Sequence, residues 1–303
     1  MRFQPIADLD EGTYLAAIFR AKHQPRRDLL IAAQDRVLQR CEVYAEQLSI
    51  LRPPPREEWH ADVVESLQSC YNSATEPLNK LKDEILKSLQ IDAEINLQRC
   101  PYCMLNDPKT WDHYLPKTYY PEYSSYHANM VYVCFGCNHR KHDEYHDSYL
   151  LYCHPYFTVP NGISLLHCLV SVSNDQLAIR YYCAAPPEHE HLAAIAEEHI
   201  SRLRLENRFK GEAASLVSGF IGEIRTTFPR GISDVAMRNI LRTKYAEAQS
   251  RLGVNAWDAR LWHGLNQCRE FCAYINRRII SNIGPSADGF DTPAPPPSPH
   301  LVA

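Results

Sequence analysis

The sequence has no long apolar run. The longest, Gly162 to Val172, is broken by Ser164, His167, Cys168 and Ser171, and it falls short of the ~20 apolar residues a membrane-spanning helix needs. The N-terminus, Met1-Arg2-Phe3-Gln4-Pro5, lacks the apolar core of a secretory leader. Both absences point to a cytoplasmic protein with no membrane partner. A strong charge of one sign is missing too. The net charge is −4 over 303 residues, which excludes coating nucleic acid through bulk electrostatics; a locally basic groove or a partner subunit would have to supply positive charge. An even disulfide set is also missing. Eleven cysteines in a cytoplasmic chain read as thiols and metal ligands. No internal repeat is present, and the length suits one large domain or two to three small ones.

What is there divides into five stretches. Residues 1–97 are predicted helical: Leu29, Leu30, Ala33, Val37, Cys41, Tyr44, Ala45 and Leu48 recur at helical spacing, Pro53-Pro54-Pro55 stops them, and Trp59, Val63, Leu67 and Cys70 restart them. Leu78, Leu81, Ile85, Leu86, Leu89 and Ile91 then lead into the first cysteine pair. Residues 98–147 hold the metal motifs. Residues 148–185 are aromatic and β-branched around Tyr149–Cys153, Ile163–Val170 and Leu177–Cys183, with turn signals at Asn161-Gly162 and Ser173-Asn174-Asp175, which predicts a small antiparallel sheet. Residues 186–283 return to helical period. Residues 284–303, with Pro-Ala-Pro-Pro-Pro-Ser-Pro, read as a disordered tail. The fold class is α+β, mostly helical.

Two metal motifs interleave in the second stretch. Cys100-Pro-Tyr-Cys103 and Cys134-Phe-Gly-Cys137 are two C-x-x-C pairs, the spacing at which a knuckle presents two sulfurs to one zinc ion. A shell of four thiolates has no open position, so this zinc is structural. Between and after the pairs lie Asp112-His113, Asn129, Asn138 and His142. Trp111–Lys117 and Asn129–Val133 read as two strands of a hairpin, and Cys137–His142 as the start of a helix. In that helix Asn138 and His142 are four apart and share a face. Asp112, Asn138 and His142 can then surround one hard cation, magnesium or manganese. Lys117, Arg140 and Lys141 are candidate phosphate contacts, with ordinary solvated surface as the alternative.

Residues 100–142 resemble the HNH endonuclease family and its ββα-metal fold. The resemblance rests on Cys100/Cys103, the Asp112-His113 dipeptide, Asn129, and the Cys134/Cys137-Asn138 run. It implies that His113 is the general base, that Asp112 and Asn138 hold the catalytic metal, and that Asn129 orients the base imidazole. His142 stands where many members have Gly and matches colicin-type members, in which a His completes the metal shell. The run Asp112-His-Tyr-Leu-Pro-Lys with Tyr120-Pro-Glu-Tyr is similar to bacterial anti-phage members, Septu-type nucleases among them, which work beside an ATPase. The resemblance therefore implies metal-dependent hydrolysis of DNA, with a defence ATPase subunit as partner.

Two other readings stay open: a ribonuclease or toxin-like nuclease, because a module that meets the backbone does not distinguish DNA from RNA, and a zinc-stabilised binding module that cuts nothing. The helical flanks could also make a homo-oligomer. Other candidates are weaker. His139 is expected to face away from the metal, His127 and His146 are loop histidines, and Cys153-His154 and His189-Glu-His191 lack further ligands at usable spacing. Cys268 and Cys272 look like core. Arg202, Arg204, Arg208 and Lys210 form either a solvated helix face or a phosphate track.

Overall fold

The computed structural model of the chain describes residues 4, 6–89, 98–158 and 162–280. The tail at 284–303, Ile91 and Asn161 lie outside them. Among the described residues the fold is mostly helical, with two small two-stranded antiparallel sheets and a buried four-cysteine cluster.

Four helices come first: α1 (Glu11–Arg20), α2 (Arg26–Ser49), α3 (Ala61–Asn72) and α4 (Glu76–Ser88). The predicted periodic residues are their buried faces, with Leu30, Val37, Tyr44 and Leu48 of α2 fully covered. Thr75 caps α4 by accepting the Leu78 amide, and Pro77 sits in its first turn, where no hydrogen bond is lost. The hairpin strands β1 (Thr110–His113) and β2 (Met130–Val133) follow, paired with Asp112 opposite Val131 and His113 opposite Met130. The helix α5 (Phe135–Lys141) packs on β1.

The connection between β1 and β2 is long, and α2 clasps it. Tyr123 Oη donates to the Arg40 carbonyl at 3.0 Å and Tyr120 Oη to the Pro54 carbonyl at 3.1 Å. The Arg40 guanidinium and the Trp59 indole both donate to the buried Glu122 carboxylate, each at 3.2 Å. The N-terminal helices thus hold the loop that carries part of the candidate site.

The second sheet is one hairpin, β3 (Leu166–Ser173) and β4 (Gln176–Cys183). The predicted turn is correct: Asn174 and Asp175 both have positive φ, 50° and 57°, as a tight two-residue hairpin turn requires. The segment Tyr149–Cys153 is not a strand. Leu150 to Cys153 are buried instead, with the Tyr152 carbonyl accepting Tyr114 Oη at 2.6 Å and the Cys153 amide donating to His199 Nδ1 at 3.2 Å, while Tyr149 is exposed. Side chains satisfy the backbone there, so burial of apolar residues did not need a ladder. The helices α6 (Glu190–Arg202), α7 (Leu205–Thr227), α8 (Asp234–Leu252), α9 (Trp257–Gln267) and α10 (Phe271–Ile280) complete the chain. α9 packs directly on β3, where a Cβ at Gly264 would stand 2.5 Å from the Cys168 carbonyl oxygen.

Candidate functional site

The four motif cysteines meet. Cys100, Cys103, Cys134 and Cys137 are buried, and their sulfurs all lie within 4.8 Å of one another. Sulfurs about 2.3 Å from a central ion define a tetrahedron with edges of roughly 3.8 Å, and Cys103 and Cys134 are 3.8 Å apart. The donors therefore fit zinc. The protonation chemistry fits too: burial and hydrogen bonds from the other three push the Cys100 thiol far up, while hydrogen bonds from Cys100, Cys103 and Cys137 pull the Cys134 thiol far down. Hydrogen bonds from Cys100 and Cys137 pull Cys103 down as well; such a cluster ionises some members readily and needs a cation to ionise all four. Four outside donors reach the sulfurs: the Leu105 amide on Cys103 at 3.5 Å, Asn106 Nδ2 on Cys134 at 4.0 Å, Arg208 Nη1 on Cys137 at 3.3 Å and Arg208 Nη2 on Cys134 at 3.9 Å. Arg208 comes from α7, so the C-terminal helices are tied to the knuckle.

The second motif opens onto a cavity of ≈ 260 Å³. Asp112, His113, Lys117, Asn138 and His142 all line it, together with Thr110, Trp111, Phe135, His139 and Asp143. His113 is held at one end: its Nε2 lies 2.8 Å from the Ser124 carbonyl. A carbonyl only accepts, so Nε2 carries the proton and Nδ1 is the lone-pair nitrogen. The Tyr71 ring meets the imidazole edge-on at 4.3 Å. Burial first, then the charges of Lys117, Lys141 and Lys82, lower its pKa to about 3, so the ring is neutral at pH 7.

Asn138 is oriented by β1. Its Nδ2 donates to Thr110 Oγ1 and the Trp111 carbonyl, both at 3.1 Å, which leaves Oδ1 as the atom for a cation. Asp112 is only 4% exposed. Tyr102 Oη donates to its Oδ2 at 2.7 Å and Lys141 Nζ to its Oδ1 at 3.0 Å. Burial raises the carboxyl pKa against the opposing pull of Lys141 and Tyr102. His142 ends α5 with φ 47° and ψ −138°, off the helical path, and is exposed. The expected shared helix face is thus absent, although both Asn138 and His142 reach the cavity. Among the described residues the four cysteines are the His/Cys/Asp/Glu group at ligand spacing; Asp112, His142 and Asp143 stand around the cavity without closing to that range.

The expectation for Asn129 needs correcting. It is fully buried, and among the described residues no hydrogen bond joins it to the imidazole. Its Oδ1 accepts the Leu115 amide at 2.8 Å and Tyr44 Oη at 3.1 Å, and its Nδ2 donates to the Leu115 and Tyr123 carbonyls at 3.0 and 3.2 Å. It pins the loop whose Ser124 carbonyl then holds His113. Asn129 thus bears on the His113 imidazole only through the backbone, one step removed.

The phosphate contacts need correcting as well. Lys141 is fully buried and donates to Asp112 and to the His113 carbonyl at 2.8 Å; it is an internal counter-charge. Arg140 is exposed and turned back on the Gly136 carbonyl at 2.7 Å. Lys117 alone of the three lines the cavity. His139 was expected to face away, yet it also lines the cavity. Three of the four residues of the basic track are spent inside the chain: Arg202 pairs with Glu144 and Glu198, Lys210 with Glu206, and Arg208 with the cysteine sulfurs, while Arg204 is exposed. His154 and Cys153 are core, as are Cys268 and Cys272, and His127 is buried 3.8 Å from Glu11.

The comparisons with known proteins add one relative. The chain is 30% identical to protein ea31 of Escherichia phage lambda over 168 residues, which span 50% of this chain and 53% of ea31. The chain thus matches about half the length of that relative. No family model and no solved structure matches it.

Sequence reasoning missed four contributors. Tyr71 and Asn72 end α3, and Lys82 is on α4; they reach the site only through tertiary packing, and no local signal marks them. Lys82 Nζ lies over the Tyr71 ring at 4.5 Å and near Trp111 at 6.0 Å. Asn72 accepts Lys117 Nζ. Asp143, which lines the cavity beside His142, was readable as one more carboxylate within the motif. Among the described residues no helix is long and apolar enough to cross a membrane.

Proposed function

We propose that this chain is a metal-dependent endonuclease of the HNH type that hydrolyses DNA phosphodiester bonds, with β1, β2 and α5 as its ββα module. The observation that carries the reading is the Ser124 carbonyl on His113 Nε2. It fixes a neutral imidazole beside a polar cavity with Nδ1 unprotonated, the form a general base needs. His113 takes the proton of the attacking water. Lys117 meets a phosphate oxygen as a point charge. Asn138 through Oδ1, with Asp112, His142 and Asp143, would hold Mg²⁺ or Mn²⁺. When bound, that cation polarises the phosphoryl oxygen and stabilises the leaving 3′ oxygen. The products would carry 5′-phosphate and 3′-hydroxyl ends. The four cysteines would hold structural Zn²⁺.

A second reading, a zinc-stabilised nucleic-acid-binding module, is favoured by one observation: both Asp112 oxygens already accept hydrogen bonds. A carboxylate oxygen has two lone pairs, so the bonds do not close it to a cation. The deciding experiment incubates the chain with plasmid, linear duplex, single-stranded DNA and RNA in Mg²⁺, Mn²⁺ or EDTA. Metal-dependent cleavage of DNA that His113→Ala abolishes supports the nuclease. Binding with no cleavage in any metal supports the module, and cleavage of RNA alone supports the ribonuclease. A role in anti-phage defence beside an ATPase rests on the Asp112–Lys117 run; co-purification from the native host tests it.

A further inference from the structure

Phe135 is the first residue of α5 and is 72% exposed, and no described large apolar side chain is more so. Its ring lies parallel to His139, 7° between planes and 5.8 Å between centroids. It lines the cavity with the candidate base and also the adjoining hollow, which is bounded by Arg99, Lys109 and Gly136. Phe135 is therefore a ridge between two hollows, one of them the proposed reaction site. Leaving such a ring in water is unfavourable, and burying it against α7 or α4 would have been the ordinary outcome. Two cations stand at the same cavity: Lys117 lines it, and Lys82 stands over Tyr71 and over Trp111, itself a lining residue.

An exposed aromatic ring and cations at one polar cavity suit one kind of ligand. The backbone of a nucleic-acid strand follows the cations, and a base with a free face lies on the ring. A base inside a duplex has both faces covered by its neighbours, so Phe135 can stack only on one that is unpaired or turned out of the helix. The geometry points to a substrate that is single-stranded, or locally unstacked, at the nucleotide next to the cleaved bond, with Phe135 as the stacking platform and Lys82 as a phosphate contact. This inference rests on the nuclease reading of the same site and names its substrate.

The test measures binding by fluorescence anisotropy, using full-length His113→Ala protein and a short labelled DNA strand, free or annealed to its complement. Adding Phe135→Ala is expected to weaken single-strand binding by about tenfold, Phe135→Tyr to stay within about twofold, and duplex binding to change by less than about threefold with either. Lys82→Gln is expected to lower the slope of log affinity against log salt by about 0.7, one phosphate's worth for a single strand. Zinc content and melting temperature control for folding, and an exposed ring is a mild site to truncate. Single-strand binding unmoved by Phe135→Ala, or an equal loss on duplex and single strand, overturns the proposal. Cleavage by the chain with His113 intact is scored separately. Phe135-dependent strand binding with no cleavage would sink the nuclease reading and leave the platform. Metal-dependent cleavage of duplex and single strand that is indifferent to Phe135→Ala would do the reverse.

Discussion

The two candidate metal centres share one hairpin and are built in opposite ways. The cysteine cluster is closed: four like donors, all buried and within 4.8 Å, with Arg208 and the Leu105 amide on the outside of the sulfurs. The acid–imidazole cavity is open: its donors are unlike, His142 and Asp143 are exposed, and the other three are each held by a different neighbour. Asn138 is held by β1, His113 by the Ser124 carbonyl, and Asp112 by Tyr102 and Lys141. A structural ion replaces a core, so its ligands must converge in the fold itself. A hydrolytic ion must leave room for water and phosphate, so its ligands need orientation more than convergence.

The sharpest break between the two is a thiolate. Cys137→Ser is expected to lose zinc and soluble protein together, because structural zinc supplies on the order of 10 kcal/mol of folding free energy. Zinc quantitation on the purified chain and a thermal melt check it. A soluble, zinc-free variant that still folds would make the closed site dispensable and erase the contrast.

On the open side, His113→Ala is expected to lower DNA cleavage by ~10²–10⁴-fold while zinc content and melting temperature stay near those of the parent. Single-turnover cleavage with saturating Mn²⁺ measures it; partial rescue by metal would show that His113 is a ligand and not the base.

Asp112 blurs the comparison, and the structure says how. A surface ligand could be removed without harm to the fold, but Asp112 is the counter-charge of the fully buried Lys141. Asp112→Ala leaves that ammonium uncompensated, which costs roughly 3–5 kcal/mol. Activity and stability should fall together, whereas Asn138→Ala should lose activity with little change in the melt. The double variant Asp112→Ala/Lys141→Met removes both charges. Recovery of the melting temperature without recovery of cleavage would separate the structural duty of Asp112 from its catalytic one. If the double variant melts as low as the single, the pair is not the cause.

Local chemistry made part of this legible in the sequence. The C-x-x-C pairs announce themselves, the apolar periods of α2 to α4 are those of buried faces, and Ser173-Asn174-Asp175 does make the turn. The cavity's donors were named because motif spacing survives folding. What was not legible depends on contacts distant in sequence. Asn129 was expected to orient the His113 imidazole because the family resemblance implies it, yet its four hydrogen bonds go to the loop and to Tyr44 of α2. Lys141 looked like a phosphate contact because a lysine is normally solvated; it is buried because α5 turns that face onto Asp112. Tyr71 and Lys82 belong to helices whose local pattern speaks only of packing. Tyr149–Cys153 has strand composition, but side chains rather than a neighbouring strand bond its backbone.

The smallest effect is the most discriminating. His142 adopts φ 47° and ψ −138°, a conformation glycine takes freely and that costs a residue with a Cβ on the order of 1 kcal/mol or more. A position under no functional demand would gain from glycine. His142→Gly is therefore expected to raise the melting temperature by a few degrees, the size of a stabilisation of about 1 kcal/mol. If His142 also serves the cation, the same change must shift the Mn²⁺ concentration for half-maximal cleavage upward, with most of the activity restored at high Mn²⁺, since water can take the place of one lost ligand. Stability and metal demand then rise together in one variant. Nothing else in the comparison predicts that pairing: a packing residue would lose stability, and an idle one would gain it with no change in metal demand. A thermal melt and an Mn²⁺ titration on the same preparation decide the matter, and a stabilised variant with an unshifted titration would remove His142 from the open site.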